Sequence, residues 1–194
     1  MRILGAAAVI ALLTGPAYAQ TPQINLIPEI QHKSPEEKEA ERSARLKLAE
    51  TALEKLYKFT PEARQECEQS AGYAVFDITA IYAILFVGQK GKGVMIDNAT
   101  RKPTFMLSVR AGTGPGVGKQ RLYQVFVFKS KEAMSQFTLA GGLGGDLSAT
   151  VSTGKDGMVR SFNPTISVYQ VPESGLAVQA SWGGTVYSVD SQLQ

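Results

Sequence analysis

One cysteine, one histidine and one tryptophan are found among the 194 residues. Cys67 alone excludes an internal disulfide, although the leader described below sends the chain to a compartment that permits one. With His32 as the one imidazole, the common zinc spacings and the Ser-His-Asp and Cys-His arrangements have nothing to build on. Cys67 therefore reads as a small buried residue, a disulfide dimer being the lesser alternative. His32 lies in a polar stretch that offers it no role as ligand or base. No metal and no cofactor is expected. Long apolar runs are scarce too: past the leader, the longest spans residues 78–87 and is broken by Thr79. It is about half the ~20 residues that a membrane-spanning helix needs, so the product is expected to be soluble or peripheral.

What is present starts with a targeting pattern. Arg2, the apolar residues 3–13 and Ala17-Tyr18-Ala19 form a basic start, a hydrophobic run and an A-x-A cleavage site. A signal peptide over residues 1–19 is expected, with a mature chain from about Gln20 in the periplasm or secreted. No cysteine follows the apolar run, so no lipid attachment is expected there. Residues 20–33 carry Pro22 and Pro28 without a helical period and read as a linker. Ser34-Pro35-Glu36-Glu37 then supplies a capping serine, a proline at the first helical position and a glutamate that reaches back to the cap. The helix it starts is expected to end near Lys58, burying a stripe of Leu46, Ala49, Leu53 and Leu56. Thr60-Pro61-Glu62 starts a second helix that ends before Gly72. Residues 29–68 hold ten acids and eight bases, a mixture that suits a solvated outer face docked on a sheet better than a membrane-lying helix.

Past Gly72 the period changes. Twelve glycines lie between Gly72 and Gly145 among short β-branched and aromatic runs. Strands are expected at residues 73–78, 81–87, 94–97, 104–110, 121–128, 147–151, 165–171 and 176–189, the last broken at Gly183-Gly184, with a short helix after Ser130. The fold expected for residues 34–194 is a single α+β domain, its N-terminal helices packed on a strongly bent antiparallel β-sheet or barrel-like sheet. In a simple meander, turns at residues 88–93 and 112–118 fall at one end of that sheet and a turn at 98–103 at the other.

Charge is segregated along the same stretch. Residues 90–131 hold nine bases against the single acid Asp97, in a chain whose net charge is only +3. The meander gathers Lys90, Lys92, Arg110, Lys119 and Arg121 at one rim, with Gly91, Gly93, Gly114, Gly116 and Gly118 in its loops. Glycine-rich loops present backbone N–H groups and the cations supply charge, which together suit phosphates and anionic head groups. The plainer alternative is that turns are exposed and so collect Gly and Lys. The string GTGPGVGKQ at residues 112–120 imitates a nucleotide-binding loop but fails it. Thr113 stands where its first glycine belongs, and Gln120 replaces the hydroxyl that holds magnesium. Residues 81–87 (IYAILFV) are apolar on both faces of a strand, with Tyr82 and Phe86 on one and Ile81, Leu85 and Val87 on the other. Cover by protein on both sides is expected; contact of one face with acyl chains is the alternative.

The ordered string GYAVFDI, GQKGKGVMID, SVRAGTGPGVGKQ, YQVFVF and KEAMSQF, continuing through GGLGGDLSATVS to GLAVQASWGGTVYSVD, resembles the SYLF domain family. That resemblance covers most of the mature chain and implies a compact α+β domain that binds lipid rather than performs chemistry, with actin-binding members among eukaryotes. It transfers no catalytic residue. The function expected is thus a periplasmic, non-enzymatic domain that binds anionic phospholipid or a membrane surface. An envelope scaffold with a protein partner is the alternative. Asp77, Asp97 and Asp146 are the carboxylates an enzyme would have to use, and their spacing forms no motif. Nucleic acid is disfavoured by compartment.

Overall fold

A computed structural model describes residues 33–139, 158–159, 164–173 and 182–194. The leader, His32, Asp146 and the strand expected at 147–151 lie outside the described residues.

The first helix, α1 (Pro35–Phe59), begins as its cap dictates. The Glu37 N–H donates to the Ser34 hydroxyl at 3.2 Å, and the Ser34 N–H donates to the Glu37 carboxylate at 2.8 Å. Its buried face is Arg45, Ala49, Ala52, Leu53 and Leu56. Leu46, expected in that stripe, stays partly exposed, because Arg45 takes the inward position. Helix α2 (Glu62–Gln69) buries Ala63 and Cys67. The thiol is free and buried, and burial pushes its pKa up to about 11.

The meander does not form. Strands β1 (Gly72–Asp97) and β2 (Pro103–Phe128) each run unbroken for 26 residues. They pair antiparallel from Gly72 opposite Phe128 to Ile96 opposite Pro103. The one turn between them is at residues 98–102, where the Asp97 carboxylate accepts from the N–H groups of Ala99 and Thr100 at 2.8 and 2.9 Å. The turns expected at 88–93 and 112–118 are therefore strand interior. Glycine marks a turn or a close approach equally well, and here Gly91 and Gly93 mark the latter. A Cβ on Gly93 would lie 2.5 Å from the Val75 carbonyl oxygen; one on Gly91 would lie 3.1 Å from Ile78 and 3.2 Å from the Asp77 carbonyl. A Cβ on Gly72 would strike Ile96. All three contacts are centred on residue 84, so the hairpin doubles back there and its two halves touch backbone to backbone.

The remaining strands are β3 (Met158–Val159), β4 (Ile166–Pro172) and β5 (Trp182–Val189), which runs through Gly183-Gly184 without the expected break. The order is β1-β2-β4-β3, with β5 also on β2. Strand β4 lines β2 along residues 122–128 and β5 lines it along 106–113. The result is the expected α+β architecture, helices on a strongly bent antiparallel sheet, and that sheet is not closed into a barrel.

Two cores hold the base of the hairpin. In the first, Val75, Val94, Phe105, Val125 and Val127 pack under α1 and α2. In the second, Phe76, Ile78, Met95, Met106 and Phe126 meet Tyr187 of β5 and the third helix, α3 (Lys131–Leu139). Ring centroids there lie 4.9 to 5.2 Å apart between Phe137 and Tyr187, Phe76 and Tyr187, and Phe126 and Tyr187, distances suited to edge and tilted aromatic packing. Arg45 is buried beneath α1, where it donates to Asp190 at 2.6 Å, Glu41 at 2.7 Å and the Met106 carbonyl at 3.0 Å.

Candidate functional site: the apex of the folded hairpin

Three local features build the apex. Ile84 sits at φ 61°, in the left-handed region that a β-branched residue rarely enters, at a cost of ~1–3 kcal/mol. Next to it the pairing shifts, Ile84 opposite Gly116 but Phe86 opposite Thr113. Leu85 on β1 thus faces Gly114 and Pro115 on β2, a two-against-one bulge of the kind that bends a strand. Pro115 brings no N–H that the ladder would lack. Gly116 and Gly118 supply the positive φ values, 147° and 133°, that the distorted strand needs.

The bulge also resets which side chains face out. Ala80, Tyr82 and Val87 fill the inside of the bend as a small core of their own. On the outside, Ile81, Ile84, Leu85, Phe86 and Val117 are between 55% and 80% exposed. This corrects the expectation that protein covers both faces of residues 81–87. It also corrects the pairing of faces, since strict alternation fails across a bulge. Exposed apolar surface continues onto Val109 and its β5 partner Val186. Residues 114–121 of β2 pair with β1 alone among the described strands, while β5 ends beside the apex with Trp182 opposite Thr113, the partner of Phe86.

The five expected cations meet different fates. Lys90 and Lys119 are exposed, Lys119 opposite the exposed Ile81 and Lys90 opposite the exposed Val109, and neither has a carboxylate partner among the described residues. Lys92 is exposed but donates to Glu41 of α1 at 2.8 Å. Glu41 is shared by Lys92, Arg45 and Lys33; burial raises its pKa, yet the three donors outweigh that and hold it at about 2. Arg121 grips Asp77 with two hydrogen bonds of 2.8 and 2.6 Å and reaches Glu173 at 3.5 Å. The Asp77 hydrogen bonds push the Arg121 pKa further up. Arg110 is buried, and burial lowers its pKa, with Tyr187 and Tyr82 opposing. The loop glycines also divide: Gly91, Gly93 and Gly114 are buried, Gly116 is half-buried and Gly118 is exposed.

Sequence reasoning kept exposure of one face of residues 81–87 only as the alternative, and missed that Leu85 and Phe86, from opposite expected faces, join Ile84 and Val117 in one exposed set. The available signal was Gly114-Pro115-Gly116, a local breaker opposite an apolar run that had too many bulky residues for one buried face. Of the enzyme carboxylates, Asp77 is held by Arg121 and Asp97 closes its turn. Where carboxylates among the described residues have displaced pKa values, at Glu36, Glu41, Asp97 and Glu132, each lies below its ordinary value. No helix among the described residues is long and apolar enough to cross a membrane.

No family model matches the chain. The chain is similar to Beta cell expansion factor A of Aeromonas veronii. The two are 31% identical over 148 residues, which cover 75% of this chain and 56% of that protein. This chain thus spans little more than half the length of the relative it matches.

Proposed function

We propose that this chain is an exported, non-enzymatic domain of the SYLF kind that binds anionic phospholipid surfaces, with Lys90 and Lys119 as its principal head-group contacts. The leader pattern at residues 1–19 supports export to the periplasm or beyond. The ordered glycine-rich motifs and the similarity to Beta cell expansion factor A support the family. The beta cell expansion in that protein's name is said of a longer protein and forms no part of the proposal.

The observation that carries the reading is charge without a counter-charge. Between Asp77 and Asp97, β1 holds no acid, and β2 holds none at all. Lys119 projects from this acid-free surface in the part of β2 that pairs with β1 alone among the described strands, and Lys90 projects from it farther along β1, while Lys92 and Arg121 are neutralised by Glu41 and Asp77. Each exposed lysine contributes about 1 kcal/mol at an anionic membrane, and the attraction fades with salt. Arg110, being buried, acts on the fold and not on head groups.

Co-sedimentation of the mature protein with vesicles tests this. Stronger binding to phosphatidylglycerol-rich than to neutral vesicles at low salt is the expected result. Lys90→Glu with Lys119→Glu should weaken that binding at least tenfold without changing the unfolding curve. Equal binding to both vesicle types removes the electrostatic cause. A second reading, an envelope protein partner, rests on the bare edge of β1, which pairs with β2 alone among the described strands. A partner crosslinked along β1, with no vesicle binding, favours it.

A further inference from the structure

The apex carries bulky apolar side chains where a globular protein ordinarily puts turn residues. Ile81, Ile84, Leu85, Phe86 and Val117 form one exposed group at the bend of the hairpin, and contiguous apolar surface of this kind marks an interaction site. We propose that this apex inserts into the boundary between head groups and acyl chains of an anionic bilayer, to a shallow depth set by Lys119 and Lys90. The inference rests on the lipid-binding reading and adds the mode of contact.

Charge, length and backbone chemistry all point to that occupant. Lys119 lies level with Ile81 and behind Ile84, Leu85 and Phe86, Lys90 lies farther back opposite Val109, and no acid accompanies them between Asp77 and Asp97. Gly116, the partner of Ile84, is three residues from Lys119. At about 3.3 Å per residue the apex reaches ~10 Å beyond that ammonium, comparable with the ~5–10 Å burial of an interfacial element. A bulge that leaves Pro115 at the tip removes one N–H from the part that meets lipid. Deeper passage is opposed by the backbone: residues 114–121 of β2 have no described strand on their outer edge, and unpaired N–H and C=O groups are costly in hydrocarbon. An apolar bend with cations behind it suits a yielding bilayer better than a preformed protein groove.

Phe86→Trp in the full mature chain is the probe, with the unsubstituted chain supplying the background from Trp182. On phosphatidylglycerol-rich vesicles its fluorescence should shift to the blue and be quenched most by bromine placed high on the acyl chain. Phe59→Trp, an exposed site at the end of α1, should show neither effect. Leu85→Ser with Phe86→Ser should keep the native unfolding curve and bind at least tenfold more weakly at raised salt, where attraction between charges is screened. A Phe86→Trp protein that sediments with vesicles but escapes quenching overturns insertion and leaves the electrostatic reading standing. Failure of the unsubstituted chain to sediment with these vesicles overturns both. A blue shift without vesicles, accompanied by dimers in sedimentation velocity, overturns insertion in favour of a second copy of the chain.

Discussion

The two ends of the β1-β2 hairpin are made of the same kinds of residue and behave as different materials. At the base, around Val75, Phe76 and Gly93, the two halves touch, helices cover both cores and every large apolar side chain named there is buried. At the apex, around Ile84 and Phe86, the same ribbon has only Ala80, Tyr82 and Val87 inside and leaves its bulky residues outside. What separates them is cover. Helices α1, α2 and α3 and strands β4 and β5 all reach the base, and among these described elements only the first residue of β5 comes as far as the apex, Trp182 opposite Thr113. A hydrophobic strand is therefore a core element or a contact surface according to what the rest of the chain lays over it.

The sharpest way to break this comparison is to disturb the base. Arg45→Ala should cost about 3–5 kcal/mol in chemical denaturation, because it leaves Asp190 buried without its cation. A loss below 1 kcal/mol would mean that the buried pair does not anchor α1 to the hairpin. Next come two glycines of the same strand. Gly93→Ala should cost about 1–3 kcal/mol by forcing the halves apart, whereas Gly88→Ala near the apex, with open space around it, should stay within about 0.5 kcal/mol. Equal effects at both positions would erase the distinction between the ends.

Acid sharpens the comparison from another side. The Glu41 pKa of about 2 lies below its ordinary 4.5. The carboxylate then contributes stability that is fully present above pH 4.5 and is lost as the pH falls from there towards 2. Denaturation midpoints measured between pH 6 and pH 3 should fall, and Glu41→Gln should flatten that decline. An unchanged slope in the variant would assign the acid sensitivity to other groups. Among the charge pairs, the smallest effect is expected at Arg121→Ala. Its pair with Asp77 is about half exposed on the arginine side, and such surface bridges are worth no more than ~1 kcal/mol.

Much of this architecture is legible without coordinates. The cap at Ser34 announces α1, and the change of period at Gly72 announces the sheet. What is not legible is what each glycine does. Gly93 and Gly118 look alike in a string of alternating Gly and Lys, yet one is crossed by the backbone of Val75 and the other bends a strand at positive φ. Local chemistry is the same in both cases, and only contacts between residues far apart along the chain tell them apart. Lys92 illustrates the point for charge, since Glu41, 51 residues away, decides that it is paired. The candidate site is half legible: Lys90 and Lys119 belong to a set of five cations that charge and an expected meander gather at one rim, while the exposure of Ile84, Leu85 and Phe86 depends on the bulge and the bend of the hairpin.

By itself the amino-acid order determined the helix starts, the change from helix to antiparallel sheet at Gly72 and the sign of the charge, because capping, periodicity and side-chain ionisation are settled within a few residues; it did not determine where β1 and β2 run on and where they turn. The tertiary structure alone decided that the hairpin folds in two at Ile84, that Arg110 turns inward, and that five apolar side chains stay outside. Those outcomes depend on which distant surfaces come to lie against one another, and burial is a property of that arrangement rather than of any single residue.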